Sequence, residues 1–440
     1  MRDLLVTGIV LGVLPFVFRH AWVGVLLWTW ISIMNPHRLT WGFAYSAPFA
    51  ALAGGATLIA LLTTKDPVRL PKAPAVTVLI LFILWMCLTT AFAMFPGDSF
   101  VQLEKVLKIQ LMTLVALAVI HHKQAILLFV WVNALSLGFY GLKGGLYTIE
   151  TGGGGRVWGP GGFIGGNNEV GLAILVAIPL LYFLYLITEH KWIRRGLIVT
   201  MLLSAVAVLG TQSRGAFLAI AVMSVVLWWR APNKALLGAG LVAVGIAALS
   251  IMPWSLGEKV SSITEYKEDS SAMGRINAWE TAINIANDRP LGAGFEMYNP
   301  VTWGIYAPTP VERRASDPSI VRAAHSIYFQ VLGEHGWIGL FLFILLGWLT
   351  WRSAARLRAQ TQYASSEYRW VFLLASMIQV ALIGFAVGGA FLSLAYFDLP
   401  YNLLVVVVVV ERWLRAELAE RQRETPLEGM ASRRMHGETA

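Results

Sequence analysis

The chain has 440 residues, of which 57% are hydrophobic and only 13% are charged, and its mean hydropathy is +0.64. So little polar surface excludes a soluble globular protein, because the apolar side chains need lipid as their solvent. The formal net charge of +9 comes from basic residues beside apolar segments, so it indicates contact with an anionic membrane leaflet and gives no case for a nucleic-acid partner.

Apolar segments recur along the whole chain, separated by polar connections. They lie at 4–18, 21–34, 46–63, 75–93, 103–121, 124–148, 168–187, 195–211, 213–230, 234–252, 326–350, 369–395 and 400–416. Most approach the roughly 20 residues that a helix needs to cross the hydrocarbon core. Nothing alternates in the manner of barrel strands, so helices are the expected spanning form. We predict an all-α polytopic membrane protein with about 12 transmembrane helices.

Three local features qualify this prediction. Segments 4–18 and 21–34 are short and separated by Arg19 and His20, so they form either a hairpin or one broken span. The run Val405–Val410 has a strand-like composition, but in lipid the requirement for internal hydrogen bonds predicts a helix. The N-terminal apolar stretch resembles a signal peptide, yet no small-residue cleavage site follows it, and we expect it to be retained.

Basic residues in the short connections predict the orientation of the helices. One set of connections and the C-terminal tail carry most of them: Lys65, Arg69, Lys72, His121, His122, Lys123, Lys191, Arg194, Arg195, Arg230, Lys234, Arg352, Arg356, Arg358, Arg412, Arg415, Arg421 and Arg423. The large polar segment 253–324 instead carries seven Lys/Arg and nine Asp/Glu, a net charge of −2. The basic set is therefore predicted to be cytoplasmic, and the polar segment to face the periplasm.

This pattern divides the chain into four predicted parts. An N-terminal transmembrane bundle occupies 1–252, and a large periplasmic loop with an amphipathic helix occupies 253–324. C-terminal transmembrane helices follow at 325–416, and a basic cytoplasmic tail occupies 417–440.

The sequence offers no sign of metal, nucleotide or thiol chemistry. Cys87 is the single cysteine and lies within an apolar run, which excludes a cysteine-dependent membrane peptidase with its thiol on the aqueous side. No His, Cys or carboxylate cluster has metal-ligand spacing, and no phosphate-cradling loop is present. We expect no cofactor.

Three arginines lie on the predicted outward face, where basic residues are exceptions. Arg156 follows a glycine run, Gly152-Gly-Gly-Gly-Arg156; Arg214 lies in Thr211-Gln-Ser-Arg214; and Arg275 lies in Met273-Gly-Arg275. An arginine at a membrane boundary tends to pair with an anion or to line a wet cavity, and its planar fork of donors suits phosphate oxygens. The alternative for each is that it merely extends to the lipid headgroups.

Arg275 is predicted to open a helix that runs to about Asn287. Ile276, Trp279, Ile283 and Ala286 form one apolar stripe along it. Such a helix is expected to lie on the membrane surface or to roof a cavity. In the first turn, the Arg275 side chain and the helix N-terminus would address the same anion.

His325 begins the apolar run that follows the polar segment. A histidine at a lipid–water boundary can stay neutral near pH 7 and accept a proton from a hydroxyl. The alternative is a helix-start histidine satisfied by water. His335, deeper in the same run, is interpreted as structural, and Glu334 either orients a neighbour or packs within the bundle.

These pieces together resemble the O-antigen ligases and the related O-antigen polymerases, over about residues 20–420. The resemblance is carried by Thr211-Gln-Ser-Arg214-Gly-Ala, by Gly274-Arg275…Trp279…Pro290-Leu-Gly-Ala-Gly294, and by His325…Glu334-His-Gly336-Trp-Ile-Gly339. The opening, Leu26-Leu-Trp-Thr-Trp…Met34-Asn-Pro-His-Arg-Leu-Thr-Trp, is more narrowly similar to the O-glycosylation ligases found beside exosortase systems.

The resemblance implies a metal-independent, inverting glycosyltransferase of the C type in the bacterial inner membrane, with its site on the periplasmic side. Its donor is a glycan on undecaprenyl diphosphate, and its acceptor is lipid A–core, a protein hydroxyl or another glycan. By motif, Arg214 and Arg275 would bind the diphosphate and His325 would be catalytic. Arg156, Asn168 and Trp279 would contact substrate.

A neutral histidine and arginines beside a leaving diphosphate match the needs of this transfer, in which a hydroxyl loses a proton as negative charge grows on phosphate. A retaining mechanism would need a positioned carboxylate pair; Glu265, Glu268 and Asp269 cluster on the polar segment but carry no motif. A transporter of lipid-linked sugars is the alternative of another class. Such transporters commonly contain internal repeats, and we see none.

Overall fold

The computed structural model describes residues 1–230, 234–235, 238–239, 270–308 and 321–437, and within these ranges it is helical with no β-strand. The helices are α1 Arg2–Arg19, α2 Ala21–Met34, α3 Phe49–Thr63, α4 Pro74–Ala91, α5 Pro96–Val119, α6 Lys123–Glu150, α7 Asn167–Ile187, α8 Lys191–Gly210, α9 Arg214–Arg230, α10 Ser270–Asp288, α11 Pro300–Tyr306, α12 Ile327–Thr361, α13 Arg369–Gly389 and α14 Asp398–Gly437.

Six helices among the described residues are long and apolar enough to cross a membrane: α4, α6, α7, α8, α12, and α13 with the short turn before it. Helices α2 and α3 are apolar but shorter. The chain is thus an all-α, multi-pass membrane protein. The span predicted at 234–252 and the boundary predicted at 252/253 lie outside the described residues.

The N-terminal helices form a hairpin. The chain breaks at His20, whose extended backbone separates α1 from α2. The start of α1 then lies beside the residues that follow α2, since Arg2 donates to the Leu39 carbonyl at 3.3 Å and Asp3 accepts from the Gly42 N–H at 3.0 Å. The two helices are therefore antiparallel, which decides between the hairpin and the broken span.

Glycines on α6 allow α8 to pack closely against it. A Cβ at Gly141 would lie 1.9 Å from the Ser204 hydroxyl, and one at Gly145 would lie 2.3 Å from the Leu203 carbonyl oxygen. With lipid on the outside, helix association depends on such close contacts between small residues, because burial of apolar surface gives little driving force there.

Helix α14 lies in the interior of the bundle. The run Val405–Val410 within it is helical, as predicted, and each of its valines is at most 3% exposed. Polar groups on the same helix pair across the bundle: Ser32 donates to Asp398 at 2.6 Å, and Asn402 donates to Asn133 at 2.8 Å. The helix continues to Gly437, across the predicted boundary at 417.

Basic residues from distant parts of the chain meet at one end of the bundle. Arg412 on α14 donates to the backbone carbonyls of Arg69 and Ile120, and Arg356 on α12 lies 3.4 Å from the carboxylate of Glu411. Helix α12 begins at the opposite end, and the turn that carries His325 lies there.

Candidate functional site

His325 lies in a turn immediately before α12. Its backbone φ is 44°, in the left-handed region, which costs a residue with a Cβ about 1–3 kcal/mol. Trp279 on α10 holds this turn. Its indole Nε1 donates to the Ala324 carbonyl at 2.7 Å, and its ring stacks on Phe329 with 4.9 Å between ring centroids. The predicted substrate contact Trp279 is thus placed where it positions the histidine.

The surroundings of His325 favour a neutral imidazole. Burial lowers the pKa of His325 below its ordinary 6.5, and the positive charges of Arg275 and Arg322 lower it further. Its Nδ1 atom is buried and has no hydrogen-bond partner in the described part of the chain. The ring is therefore available to accept a proton near pH 7. Sequence reasoning missed Arg322, although its position three residues before the histidine was a usable signal.

The helix that carries Arg275 begins earlier than the sequence predicts. Helix α10 starts at Ser270, so Arg275 lies in its second turn. The prediction that this side chain and a helix N-terminus address the same anion is therefore wrong. No helix-breaking proline separates Ser270 from Arg275, and Gly274 alone does not stop the helix.

The buried face of α10 also differs from the predicted stripe. Its most buried apolar side chains are Ala278, Ala282 and Ile285, each 0% exposed, and of the predicted residues only Ala286 is comparably buried. This face packs against α12 at Gly333, where an added Cβ would lie 3.2 Å from the Ala282 Cβ. Helix α10 therefore lies against the head of α12.

Helix α12 is kinked at Gly336, and the loop after α10 fills the kink. Gly336 has non-helical angles (φ 67°, ψ −172°). The backbone N–H groups of Ala293 and Gly294 donate to the carbonyls of Gly333 and Glu334, each at 2.9 Å. Carbonyls that the kink removes from the helix ladder thus gain partners from the loop.

Close approach explains the glycines in these two motifs. Gly292 has φ 71°, and a Cβ there would lie 2.6 Å from the Glu334 carbonyl group. A Cβ on Gly336 would lie 2.2 Å from the Pro290 carbonyl oxygen. His335, next to the kink, is fully buried and its Nδ1 lies 2.7 Å from the Thr89 hydroxyl.

Arg214 is the first residue of α9 and is exposed. The hydroxyl of Ser213 accepts the N–H of Ala216 at 3.3 Å, so Ser213 caps the helix. A guanidinium and a helix N-terminus therefore lie together at Arg214, which is the combination predicted for Arg275.

The glycine-rich loop before α7 is bonded to the turn that carries Arg214. Three hydrogen bonds join them: the Val157 N–H to the Gly210 carbonyl at 3.0 Å, Gln212 Nε2 to the Gly153 carbonyl at 3.1 Å, and Asn167 Nδ2 to the Thr211 carbonyl at 2.9 Å. Arg156 is exposed on this loop. The asparagine that links the two segments is Asn167, which sequence reasoning missed; the predicted Asn168 follows it, half-buried in the first turn of α7.

The turn of Arg214 and the turn of His325 belong to the same end of the bundle. A Cβ on Gly215 would lie 2.8 Å from the Phe391 Cβ, and one on Gly389 would lie 2.5 Å from the Ile327 side chain. The start of α9, the end of α13 and the start of α12 are thus in contact. Arg275 joins them through its electrostatic effect on His325.

A polar cavity of about 520 Å³ opens beside the His325 turn, with Val321 and Ala323 in its wall. Its other polar lining residues are Gln102, Glu169, Glu296, Tyr298, Gln330, Glu334, Ser393 and Tyr396. Sequence reasoning named only Glu334 among them. The others come from separate segments with no shared local pattern, so no sequence signal pointed to their convergence.

The segment that contains the Arg214 and His325 turns matches a known protein family. Residues 199–344 match the family described as O-antigen ligase. Residues 1–188 match a family of unknown function. A search of curated proteins found no match. The first match spans the turns of Arg214 and His325, helix α10 and the kink of α12. Residues 199–344 are thus similar to the O-antigen ligase family.

Proposed function

We propose that this protein is an inverting, metal-independent glycosyltransferase that moves a glycan en bloc from undecaprenyl diphosphate to an acceptor hydroxyl, with lipid A–core as the acceptor. One observation carries the proposal most. A histidine of lowered pKa lies beside two arginines, within the O-antigen ligase segment and at one end of an apolar helix bundle.

In the proposed reaction the acceptor oxygen attacks the anomeric carbon of the donor as His325 accepts the hydroxyl proton. The bond from that carbon to the diphosphate oxygen breaks, and its electron pair remains on the diphosphate. A single displacement of this kind inverts the anomeric centre. A positioned base typically contributes ~10²–10⁴-fold to such a step.

Arg214 and Arg275 are proposed to hold the diphosphate, with Arg156 extending the same cationic surface from the glycine-rich loop and Asn168 beside it. Fixed cations placed where charge develops need no reorganisation during the reaction, and each such contact is commonly worth ~2.7–4 kcal/mol. We assign Trp279 to positioning, because its indole N–H is already bonded to the Ala324 carbonyl.

The proposed setting is the bacterial inner membrane, with about 12 helices crossing it and the His325 end facing the periplasm. The basic end of the bundle would then contact the anionic cytoplasmic leaflet. A donor held in the bilayer by its polyprenyl chain would reach the site from within the same membrane.

The test is transfer by the purified protein, supplied with an undecaprenyl-diphosphate glycan and no nucleotide or added metal. Three acceptors are compared: lipid A–core, a serine- and threonine-containing peptide, and a free glycan. We expect product on lipid A–core. Product on the peptide or the glycan would redefine the enzyme as a protein ligase or a polymerase. Flipped donor without any product would favour the transporter.

The same assay tests the base. We expect His325→Gln to lower the rate at saturating donor by ~10²-fold or more, with donor affinity unchanged, because glutamine can donate a hydrogen bond but cannot accept a proton at this pH. A glutamine variant within about threefold of the parent rate would contradict the base assignment, since ~10²-fold is the least that a lost base is expected to cost.

A further inference from the structure

Helix α5 carries charged side chains on a face that the rest of the bundle does not cover. Its four charged residues, Asp98, Glu104, Lys105 and Lys108, are all exposed. The Lys108 Nζ atom lies 2.6 Å from the Glu104 carboxylate one turn earlier, and the two side chains are 58% and 68% exposed. The opposite face of α5 is buried, and the helix packs against α2, α4 and α14. Helix α5 is therefore part of the bundle and directs these charges outward.

Helix α5 extends between the two ends of the bundle. Near its start, Ser99 donates to the Phe295 carbonyl at 2.7 Å, in the loop beside the α12 kink. Near its end, the Ala118 carbonyl accepts the Arg69 N–H at 3.0 Å, where the basic residues gather. The helix thus spans the bundle, although its charged residues set it apart from the six long apolar helices.

The ion pair between Glu104 and Lys108 lies at the depth of the hydrocarbon core. Both side chains line a groove of about 400 Å³ between α4 and α5, together with Ile83. Ile83 is near the middle of α4, which is long and apolar enough to cross a membrane. A carboxylate at this depth does not reach the headgroups, because only long side chains near a helix end extend that far.

Lipid is a poor environment for such a face. Charged residues inside a membrane usually face the interior of a bundle or a water-filled cavity, and they pair with one another. We propose that the outward face of α5 is the interface between two copies of this chain, related by a twofold axis along the membrane normal. This inference does not depend on the proposed reaction.

Charge complementarity argues for a second copy as the partner. The face carries two acidic and two basic side chains, Asp98 and Glu104 against Lys105 and Lys108, so it has no excess of either sign. About a twofold axis the same patch meets itself. Glu104 of one copy then pairs with Lys108 of the partner subunit, and the reverse pair forms by symmetry. A patch for a partner of one sign would instead carry an excess of the opposite charge.

Apolar side chains on both sides of the ion pair supply the packing that such an interface needs. Val101 precedes Glu104 by one turn and Leu111 follows Lys108 by one turn, and they are 57% and 45% exposed. Association of helices in lipid depends on close packing and polar contacts, because burial of apolar surface gives little driving force there. The groove between α4 and α5 offers room for a side chain of the second copy.

Oxidative cross-linking of the full-length protein in its native membrane tests the interface. In a Cys87→Ala background, Val101→Cys places a thiol on the outward face of α5. Leu202→Cys on α8 is the matched control, because Leu202 is similarly exposed, at 50%. We expect Val101→Cys to form a disulfide-linked dimer of twice the chain mass and the control to remain monomeric. Equal dimer yields in the two proteins, including none in either, or a Val101→Cys product of another mass, would overturn the proposal.

Reversal of one charge separates pairing between copies from pairing within one helix. Glu104→Lys and Lys108→Glu each place like charges on the face, so two identical variant copies repel each other. We expect each variant alone to self-associate ~10-fold or more weakly than the parent, a change of about 1.4 kcal/mol. When the two variants are expressed together with different tags, opposite charges meet again, and the mixed pair should form as readily as the parent pair. The measurement is co-purification of the two tags, with Val101→Cys cross-linking between them.

The mixed pair is decisive because neither variant retains the ion pair between positions 104 and 108 within its own helix. Recovery of pairing in the mixture would also show that both variants fold. Failure of the mixture to pair, with both variants as thermally stable as the parent, would contradict the charge-paired interface. If a charge variant does not fold, the Val101→Cys comparison decides, since that protein keeps Glu104 and Lys108.

Discussion

Arg322 and Arg275 both lower the pKa of His325, but only Arg275 is assigned to the donor diphosphate. Arg322 is exposed, and its Cγ lies 3.1 Å from the Cβ position of Gly274 on α10. It therefore provides a way to change the basicity of the histidine while leaving the proposed diphosphate contacts in place.

We expect Arg322→Gln to move the acidic limb of the rate–pH profile to higher pH. The reaction needs neutral His325. A lowered pKa keeps the ring neutral to lower pH, so removing a cation raises the pKa and protonates the ring earlier as pH falls. The measurement is the transfer rate against pH at saturating donor, at low salt, because salt screens an exposed charge.

Lys191→Gln provides a control for that experiment, because Lys191 is exposed at the start of α8, at the far end of that helix from the Arg214 turn. The control should keep the parent profile. An unchanged limb in Arg322→Gln would show that this arginine does not act on the catalytic titration.

The second prediction concerns the guanidinium groups of Arg214 and Arg275, which we propose bind the donor diphosphate. Each lysine substitution should retain charge but lose the paired donors that match phosphate oxygens. We expect Arg214→Lys and Arg275→Lys each to lower kcat/KM for the donor by on the order of 10²-fold. Parent activity in either lysine variant would show that general electrostatic attraction is sufficient.

At the residue scale, sequence reasoning identified the side chains that depart from the positive-inside rule. Arg214 and Arg275 stood out because basic residues are scarce in the predicted outward connections, and the structure places Arg275 beside His325. Asn167 and Glu296 had no such signal. Their significance comes from what the fold brings next to them, which no single segment encodes.

Helix α10 shows where pattern reasoning fails at the scale of one element. Apolar periodicity predicted that Ile276, Trp279 and Ile283 would share the buried face with Ala286. The most buried apolar side chains besides Ala286 are instead Ala278, Ala282 and Ile285, on the side where α10 meets Gly333 of α12. Hydrophobicity alone does not show which side of a helix meets its neighbour, so the stripe chosen from the sequence was offset from the buried one.

The third prediction concerns Gly336, the residue at which α12 is kinked. Gly336→Ala should disrupt the contact with the loop after α10, since a Cβ there would lie 2.2 Å from the Pro290 carbonyl oxygen at φ 67°. We expect transfer activity to be lost. We also expect the free energy of unfolding to fall by several kcal/mol, or the protein to fail to fold. The measurement is thermal unfolding of the detergent-solubilised protein, followed by size-exclusion chromatography.

Gly347 in the same helix is the matched control. A Cβ there would meet nothing within 4 Å, and alanine generally favours a helix over glycine by ~0.5–1 kcal/mol. Gly347→Ala should therefore keep or slightly raise stability and keep activity. Equal effects of the two substitutions would show that the kink is not needed for the fold.

At the scale of the whole molecule, composition was sufficient to predict an all-α membrane protein, because a chain this apolar has few other stable forms. It was not sufficient to predict the cavity, whose wall combines residues from Gln102 to Tyr396. These residues are far apart in the sequence, and they line one cavity only because of how the helices pack.

The last prediction concerns the orientation of the whole bundle in the membrane. The basic residues around Arg412 gather at one end, and the His325 turn lies at the other, so the positive-inside rule predicts a periplasmic site. In a Cys87→Ala background, Glu280→Cys on α10 and Ser365→Cys after α12 both introduce an exposed thiol.

A membrane-impermeant maleimide applied to intact spheroplasts should label the cysteine at 280 at once. It should label the cysteine at 365 only after the membrane is permeabilised. Both variants must retain transfer activity, so that the labelled protein has its native topology. The reverse pattern would place the histidine on the cytoplasmic side, where an acceptor in the outer leaflet is out of reach, and would overturn the proposed acceptor with the topology.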